Sequence, residues 1–192
     1  MTTPTATPTA TPAGTPTATP TVTPTPVGVD DFEIRRIISA VAVLSDVSPD
    51  FREIGVQVRA LGDHIETVRV YMDVIPPGGS SNPGGCVPTG RILDSSVTLD
   101  PAGVGNVGID KQANVFADTG TLGDGLVEFS CTNQSAVVGL RWTLIAAVDA
   151  HGDDSVACGP GLLLTLACAN ALADDDLDSN NRLTRNAPRV QP

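Results

Sequence analysis

The sequence has few of the residues that catalysis and nucleic-acid binding require. Its 192 residues include two His, one Trp, one Tyr and four Phe, and 11 basic residues stand against 22 acidic ones for a net charge of −11. Nucleic acids and anionic membrane surfaces attract basic footprints, so this balance argues against both as partners. No GxSxG or HExxH motif occurs, and the longest apolar runs fall far short of the ~20 residues that span a bilayer. We therefore expect no enzyme activity, no cofactor, no nucleic-acid partner and no membrane span.

The first 26 residues are a tandem repeat in which Thr-Pro recurs every four residues from Thr3-Pro4 to Thr23-Pro24. No charged residue precedes Asp30, and Val22 is the only bulky apolar side chain of the repeat after Met1. Proline favours extended polyproline II geometry, so 26 such residues could reach about 80 Å. We predict an extended linker or stalk over residues 1–29 and one domain over residues 30–192.

Thr/Pro-rich composition is typical of O-glycosylated, mucin-like stalks, although a semi-rigid linker without sugars explains the repeat equally well. The candidate O-glycosylation sites are Thr3, Thr5, Thr7, Thr9, Thr11, Thr15, Thr17, Thr19, Thr21, Thr23 and Thr25. Asn133-Gln134-Ser135 is an N-glycosylation sequon, which makes Asn133 a further candidate. Covalent glycans are therefore expected on an extracellular protein.

From residue 51 onward the apolar pattern has a period of two, which indicates strands. Val68 to Val74 and Leu140 to Val148 each place alternate apolar residues on one face, and Leu162 to Cys168 does the same. In the first of these, Thr67, Arg69, Tyr71 and Asp73 point the other way. Shorter candidate strands are Ile54–Ala60, Ile92–Leu99, Ile109–Phe116 and Leu126–Cys131.

Residues 34–44 also fit a helical stripe, but their content of Ile and Val favours a strand. Seven to nine short strands separated by turn residues predict an all-β, immunoglobulin-like sandwich of two sheets. Trp142 lies on an inward face in mid-strand and is therefore expected in the core.

The four cysteines form an even set in an acidic, loop-rich domain, which favours two disulfides in an oxidising compartment. A zinc site is the alternative, but no CxxC pair occurs. With strands in immunoglobulin-like order, Cys86 and Cys131 lie at one pole and Cys158 at the other, before the strand that ends at Cys168. This order favours the pairs Cys86–Cys131 and Cys158–Cys168 over the two other connectivities.

Three motifs have a simpler interpretation than a ligand site. Residues 103–108 match the dinucleotide motif GxGxxG, but no helical stripe follows them, so a glycine-rich strand connection explains them better. Residues 151–154 offer one His and two Asp, which a turn also explains. The acidic segment at residues 174–180 lacks the Gly and Glu of an EF-hand, so a solvated acidic turn is the simpler interpretation and a weak calcium site is the alternative. Its candidate ligands are Asp174, Asp176, Asp178 and Asn180.

The end of the chain resembles a known family. Residues 174–182 with Pro188-Arg189-Val190 resemble the acidic turn before the last strand of CARDB-like domains, which are immunoglobulin-like modules of bacterial surface proteins. Residues 55–63 are similar to the second strand of that family. The resemblance covers residues 32–192, but the four cysteines and the long excursion at 76–125 depart from it. It implies extracellular adhesion or structural display at the cell surface, not catalysis.

Phe32–Leu44 is a strand-sized apolar segment that directly follows the extended tail. Open sheet edges accept strands from other chains, so residues 30–46 are a candidate donated strand that would join copies into a homopolymer. Ordinary pairing within its own domain is the alternative. We therefore predict an extracellular subunit of a glycosylated filament, with a cell-surface adhesion or carbohydrate-binding module on a stalk as the competing function.

Overall fold

The computed structural model describes residues 31–39, 43–44, 49–103, 109–117, 125–149 and 182–191, and these residues form an all-β sandwich. The strands are β1 (Phe32–Ser39), β2 (Val43–Leu44), β3 (Asp50–Ala60), β4 (Glu66–Ile75), β5 (Cys86–Val87), β6 (Gly90–Leu99), β7 (Gln112–Phe116), β8 (Leu126–Cys131), β9 (Arg141–Asp149) and β10 (Arg182–Val190). The predicted fold class is confirmed. Within these ranges eight strands are longer than two residues, in agreement with the predicted seven to nine, while β2 and β5 are two-residue additions.

The strands form two five-stranded sheets. Sheet I has the order β1-β3-β8-β5, with β7 also paired to β3, and sheet II has the order β2-β10-β9-β4-β6. Strand β3 carries β1 along one edge, while β8 and then β7 follow one another along its other edge. The ladders are antiparallel except for the short parallel pair of β2 and β10.

The two ends of the described chain lie at opposite ends of the sandwich. Strand β1 begins at Phe32, which pairs with Ala60 at the end of β3. The connection between β6 and β7 lies at the same end, where the Asp100 N–H donates to the Asp110 carbonyl. We call this end the amino pole. Strand β10 ends at Val190, whose N–H donates to the Leu140 carbonyl. We call that end the carboxyl pole. It also carries the Cys86–Cys131 pair, which lies beyond the β3–β8 ladder.

The core lies between the sheets, where the predicted alternation is confirmed. Its largest fully buried side chain is Trp142, as expected, and the other predicted inward residues that are buried are Val68, Val70, Met72, Val74, Leu144, Ala146 and Val148. Leu140 departs from the prediction, since it is 43% exposed just before β9 begins. Tyr71 and Asp73 face away from this core and are nevertheless buried. Tyr71 packs with Ile145 and Ala147 in a second, small apolar cluster, and the side chain of Arg91 lies against both Tyr71 and Asp73.

Residues 34–44 form strand rather than helix where the structure describes them, as expected, but they belong to two strands in different sheets. Strand β1 ends at Ser39, opposite Ile54, and the chain reappears as β2 in sheet II beside β10. A pairing irregularity between Ile34 and Arg36 interrupts β1 itself. Similarly, the strand expected over Ile109–Phe116 begins at Gln112. The expected strand over residues 162–168 lies outside the described residues.

Candidate functional site

Strand β1 covers one side of the sandwich with three apolar side chains. Phe32, Ile34 and Ile37 are 2%, 6% and 1% exposed, whereas Arg35 and Arg36 on the same strand point to solvent. Among the described strands, β1 is hydrogen-bonded only to β3, so its other edge is not paired with any strand of the described ranges. Burying three large apolar groups stabilises the fold by several kcal/mol, at about 1.5–3 kcal/mol for each side chain.

Polar contacts hold β1 at its amino end and in its middle. The Glu33 carboxylate accepts from Arg59 Nη1 on β3 at 3.3 Å and lies 3.4 Å from Arg35 Nε. In the middle, Nη1 of Arg185 on β10 donates to the Ile37 carbonyl and so joins β1 to the opposite sheet. These contacts fix the position of β1 beside β3 in its own sheet and against β10 of the opposite sheet.

An open cleft of about 460 Å³ lies at the amino pole beside β1, lined by Arg35, Arg59, Asp110, Lys111 and Gln112. Three of these side chains are cationic, which is unusual on a chain of net charge −11. Glu33 and Gln112 already contact the two arginines, because Arg35 Nη1 donates to Gln112 Oε1 at 3.4 Å and Glu33 contacts both guanidinium groups. With Asp110 in the lining and Glu33 beside it, two negative charges offset two of the three positive charges of the cleft.

The carboxyl pole is held by the disulfide between Cys86 and Cys131, whose Cα atoms are 3.9 Å apart. This is the first of the two pairings expected from the sequence. Asn82, in a left-handed conformation with φ of 40°, positions the cysteine by two hydrogen bonds. Its Oδ1 accepts from the Cys86 N–H at 2.7 Å and its Nδ2 donates to the Cys86 carbonyl at 2.9 Å. The loop before β5 is thereby tied to the strand that carries the disulfide.

The predicted N-glycosylation sequon lies in the connection between β8 and β9, next to this disulfide. The Asn133 side chain is exposed, and the Ser135 hydroxyl donates to its Oδ1 at 2.9 Å. The Asn133 N–H donates to the Gly84 carbonyl at 2.8 Å, which anchors the backbone of the turn. The acceptor amide is therefore sterically accessible, and its modification stays a prediction.

The outer face of sheet II carries a charged cluster around Tyr71 that the sequence reading did not identify as a unit. The guanidinium groups of Arg91 and Arg69 lie 4.6 Å and 5.7 Å from the Tyr71 ring centroid. Arg69 Nε also donates to Asp94 Oδ1 at 2.7 Å. Strands β4 and β6 place Tyr71 directly opposite Asp94, a register that alternation alone does not reveal.

Electrostatics of this cluster favour neutral Tyr71 and charged Arg69. Burial, and then the negative charge of Asp149, raises the pKa of Tyr71 to about 12. The Tyr71 hydroxyl donates to Asp149 Oδ2 at 3.4 Å, the long end of the hydrogen-bond range. The hydrogen bond to Asp94 raises the pKa of Arg69. At neutral pH Tyr71 is therefore a neutral phenol, packed between the charged side chains of Arg69 and Arg91.

Several predicted site residues lie outside the described residues. These are the threonines of the tail, Cys158 and Cys168, residues 151–154, most of the glycine motif at 103–108, and the calcium candidates Asp174, Asp176, Asp178 and Asn180. Within the described ranges, no group of three or more His, Cys, Asp or Glu side chains could hold a metal ion. In the same ranges, no helix has the length and apolar character to cross a bilayer.

No protein-family model matches this chain, and no curated protein matches it either. The resemblance to CARDB-like domains therefore stays a prediction based on the short segments at residues 55–63 and 174–190.

Proposed function

We propose that this chain is an extracellular structural protein of the cell surface, in which a β-sandwich on a glycosylated Thr/Pro stalk joins to further copies by exchanging β1. The exchanged subunits form a filament. The observation that carries the proposal is the one-sided attachment of β1, which pairs with β3 alone among the described strands and fills the core with Phe32, Ile34 and Ile37.

An exchanged β1 would make the same contacts in a neighbouring subunit that it makes in its own. The ladder from Phe32 to Ser39, the Arg59–Glu33 ion pair and the Arg185 contact with Ile37 would all be reproduced between chains. These contacts contribute equally to the monomer and to the exchanged assembly. The equilibrium between the two forms therefore depends on the connection to β3 and on protein concentration. Strand exchange of this kind is a low-cost route to assembly.

The connection that must open is the segment from residue 40 to residue 49, because it joins β1 to β3. It includes β2, so the exchange also breaks the short pairing of β2 with β10. Ten extended residues span about 33–36 Å, which is sufficient to reach a neighbouring sandwich. The Thr/Pro tail precedes β1 and is therefore not the tether between β1 and its own domain. It would leave the filament as a side stalk at each amino pole. One-directional exchange generates an open filament, whereas reciprocal exchange would close a dimer.

The extracellular part of the proposal rests on the cysteines and the tail. Disulfides persist in oxidising compartments, and Cys86–Cys131 closes a 45-residue separation in the sequence. The Thr/Pro repeat offers a hydroxyl at nearly every second position for O-linked sugars.

The distribution of aromatic side chains favours this structural role over carbohydrate binding. All six aromatic residues of the chain are described, and Phe32, Tyr71, Phe129 and Trp142 are buried. Phe51 is the one ring among the six that is more than a third exposed. Sugar binding relies on exposed aromatic faces, and a single exposed Phe does not form such a platform.

A pair of engineered cysteines tests the exchange on the full chain. Arg36 and Gln57 are direct partners on the solvent face of the β1–β3 ladder, so Arg36→Cys with Gln57→Cys places two thiols opposite each other. After oxidation, exchange between chains produces a ladder of covalent oligomers on a non-reducing gel, spaced by the 19.6 kDa chain mass. The matched controls are the two variants that carry only one of the engineered cysteines. Through that cysteine each can form covalent dimers, but it cannot form a ladder of larger oligomers.

Negative-stain microscopy of the same oxidised sample supplies the second readout. Filaments together with the covalent ladder support the proposal. A sample in which every chain forms an internal bond and remains a dispersed monomer contradicts it, because β1 then pairs only within its own domain.

A further inference from the structure

The two terminal strands of the described domain are oriented so that a pull on the chain ends acts along their length. Strand β1 begins at the amino pole with Phe32, and β10 ends at the carboxyl pole with Val190. Tension between the two ends draws β1 towards the amino pole and β10 towards the carboxyl pole. Each strand is therefore pulled parallel to the neighbour with which it is paired.

Hydrogen bonds in these ladders resist such a pull together. The bonds of an antiparallel ladder are perpendicular to the strands, so a lengthwise force loads all of them at once. For β1 the ladder with β3 runs from Phe32 to Ser39, and for β10 the ladder with β9 runs from Arg182 to Arg189. A force perpendicular to the strands would instead break one pair after another.

Two contacts join the two ends of the domain directly to each other. Val43 and Leu44 of β2 pair in parallel with Arg189 and Val190 of β10. Tension drives β2 and β10 in opposite directions, so this pair is also sheared. In addition, Arg185 of β10 donates to the Ile37 carbonyl of β1 across the sandwich. The terminal strands thus oppose the load through β3, through β9 and through each other.

We propose that this domain bears tension: its terminal strands form a shear-loaded clamp between the amino pole and the carboxyl pole. The inference rests on the structural role proposed above but not on strand exchange, because the clamp is described within one chain. The load is a pull on the two ends of the domain, as a protein in a surface fibre would experience.

The disulfide limits how far the domain extends after the clamp gives way. Cys86 and Cys131 are 45 positions apart, and β6, β7 and most of β8 lie between them. The covalent bond keeps this segment out of the path of the force. Without it, the unfolded chain gains about 150–160 Å of length, at roughly 3.3–3.6 Å per residue.

Single-molecule force spectroscopy on the full chain tests the proposal. One arrangement has handles at the two ends, and the matched control has handles at the amino end and at Ile65. Ile65 is 45% exposed and lies between β3 and β4 at the amino pole. The control pulls Phe32 away from Ala60 sideways, so it peels β1 from β3 pair by pair.

We expect the end-to-end unfolding force to be at least about twice the force in the peeling arrangement at the same loading rate. Cys86→Ala with Cys131→Ala should lengthen the end-to-end extension by the amount given above and leave the ratio of the two forces unchanged. Equal forces in the two arrangements, or a lower force end to end, would overturn the proposal. That result would leave the covalent-ladder test of strand exchange unaffected.

Discussion

The rings of Phe129 and Trp142 meet at 89° with their centroids 5.2 Å apart. Phe129 comes from β8 of sheet I and Trp142 from β9 of sheet II, so this edge contact joins the two sheets. It lies near the carboxyl pole, two residues from Cys131, where the disulfide joins β8 to β5. Both rings are fully buried, and the T-shaped arrangement is one of the favourable geometries for aromatic pairs.

Phe129→Ala should lower the free energy of unfolding by about 3–5 kcal/mol, because it removes a buried ring and leaves a cavity against Trp142. Denaturant unfolding followed by circular dichroism measures the change. Phe51→Ala is the matched control, since Phe51 lies on the same β3–β8 ladder but is 42% exposed. The control should lose less than about 1 kcal/mol. Equal losses in the two variants would contradict the assigned burial.

Cys86→Ala combined with Cys131→Ala should cost about 2–5 kcal/mol of unfolding free energy, mainly because the unfolded chain gains freedom. The same denaturant titration measures it. The two single variants are expected to be at least as unstable as the pair, since each leaves one partner cysteine unpaired in a buried or half-buried position. A double variant as stable as the parent chain would show that the disulfide has no stabilising role.

Tyr71 is the chain's only tyrosine, so the ultraviolet absorbance of tyrosinate reports its ionisation directly. We expect a midpoint near pH 12 in the folded protein and near pH 10 in denaturant. Because the folded pKa is the higher one, the unfolded chain loses its proton first. The free energy of unfolding should therefore fall by up to about 2–3 kcal/mol between pH 10 and pH 12. A folded midpoint near pH 10 would show that the ring is not buried as described.

Gly55→Ala should destabilise the domain by about 1–3 kcal/mol, because the new methyl group has no room. A Cβ at this position would lie 2.8 Å from Phe116 Cδ1 and 2.8 Å from the Val115 carbonyl oxygen. The backbone oxygen cannot move without disturbing the β3–β7 ladder. Thermal unfolding measures the effect, with Ser96→Ala on exposed β6 as a strand control expected to change little. An unchanged midpoint for Gly55→Ala would contradict the close approach of β7.

Removal of residues 1–26 should leave the thermal midpoint nearly unchanged, because no side chain of the repeat can enter a core. The cut must spare Asp31, which is 5% exposed and whose carbonyl accepts from the N–H groups of Leu61 and Gly62. Removal of residues 1–31 is the comparison and should cost measurable stability. A loss of several degrees on removal of residues 1–26 would show that the tail docks on the domain.

The alternation of apolar residues was sufficient to predict the central strands. In β4 and β9 every second residue from Val68 to Val74 and from Trp142 to Val148 is buried, because a strand places alternate side chains on opposite faces. The edges were harder to predict. Residues 34–44 contain enough Ile and Val for one long strand, but alternation does not encode where the chain changes sheets, and this change occurs after Ser39.

The Tyr71 cluster could not have been predicted for a related reason. Arg69, Tyr71 and Asp94 come together only when β4 and β6 pair in one particular register, and a slip of one residue would separate them. The disulfide was more accessible to sequence reasoning, because four cysteines allow only three connectivities and the strand order favours Cys86–Cys131.

Lys111 is the only lysine among the eleven basic residues of the chain, and it lies in the cleft at the amino pole. Apart from the amino terminus, it offers the one primary amine of the protein. Reagents that couple to amines can therefore attach at a single side chain, at a known end of the sandwich. A dye, a bead or a solid support linked there would hold every molecule in the same orientation, with the carboxyl pole pointing outward.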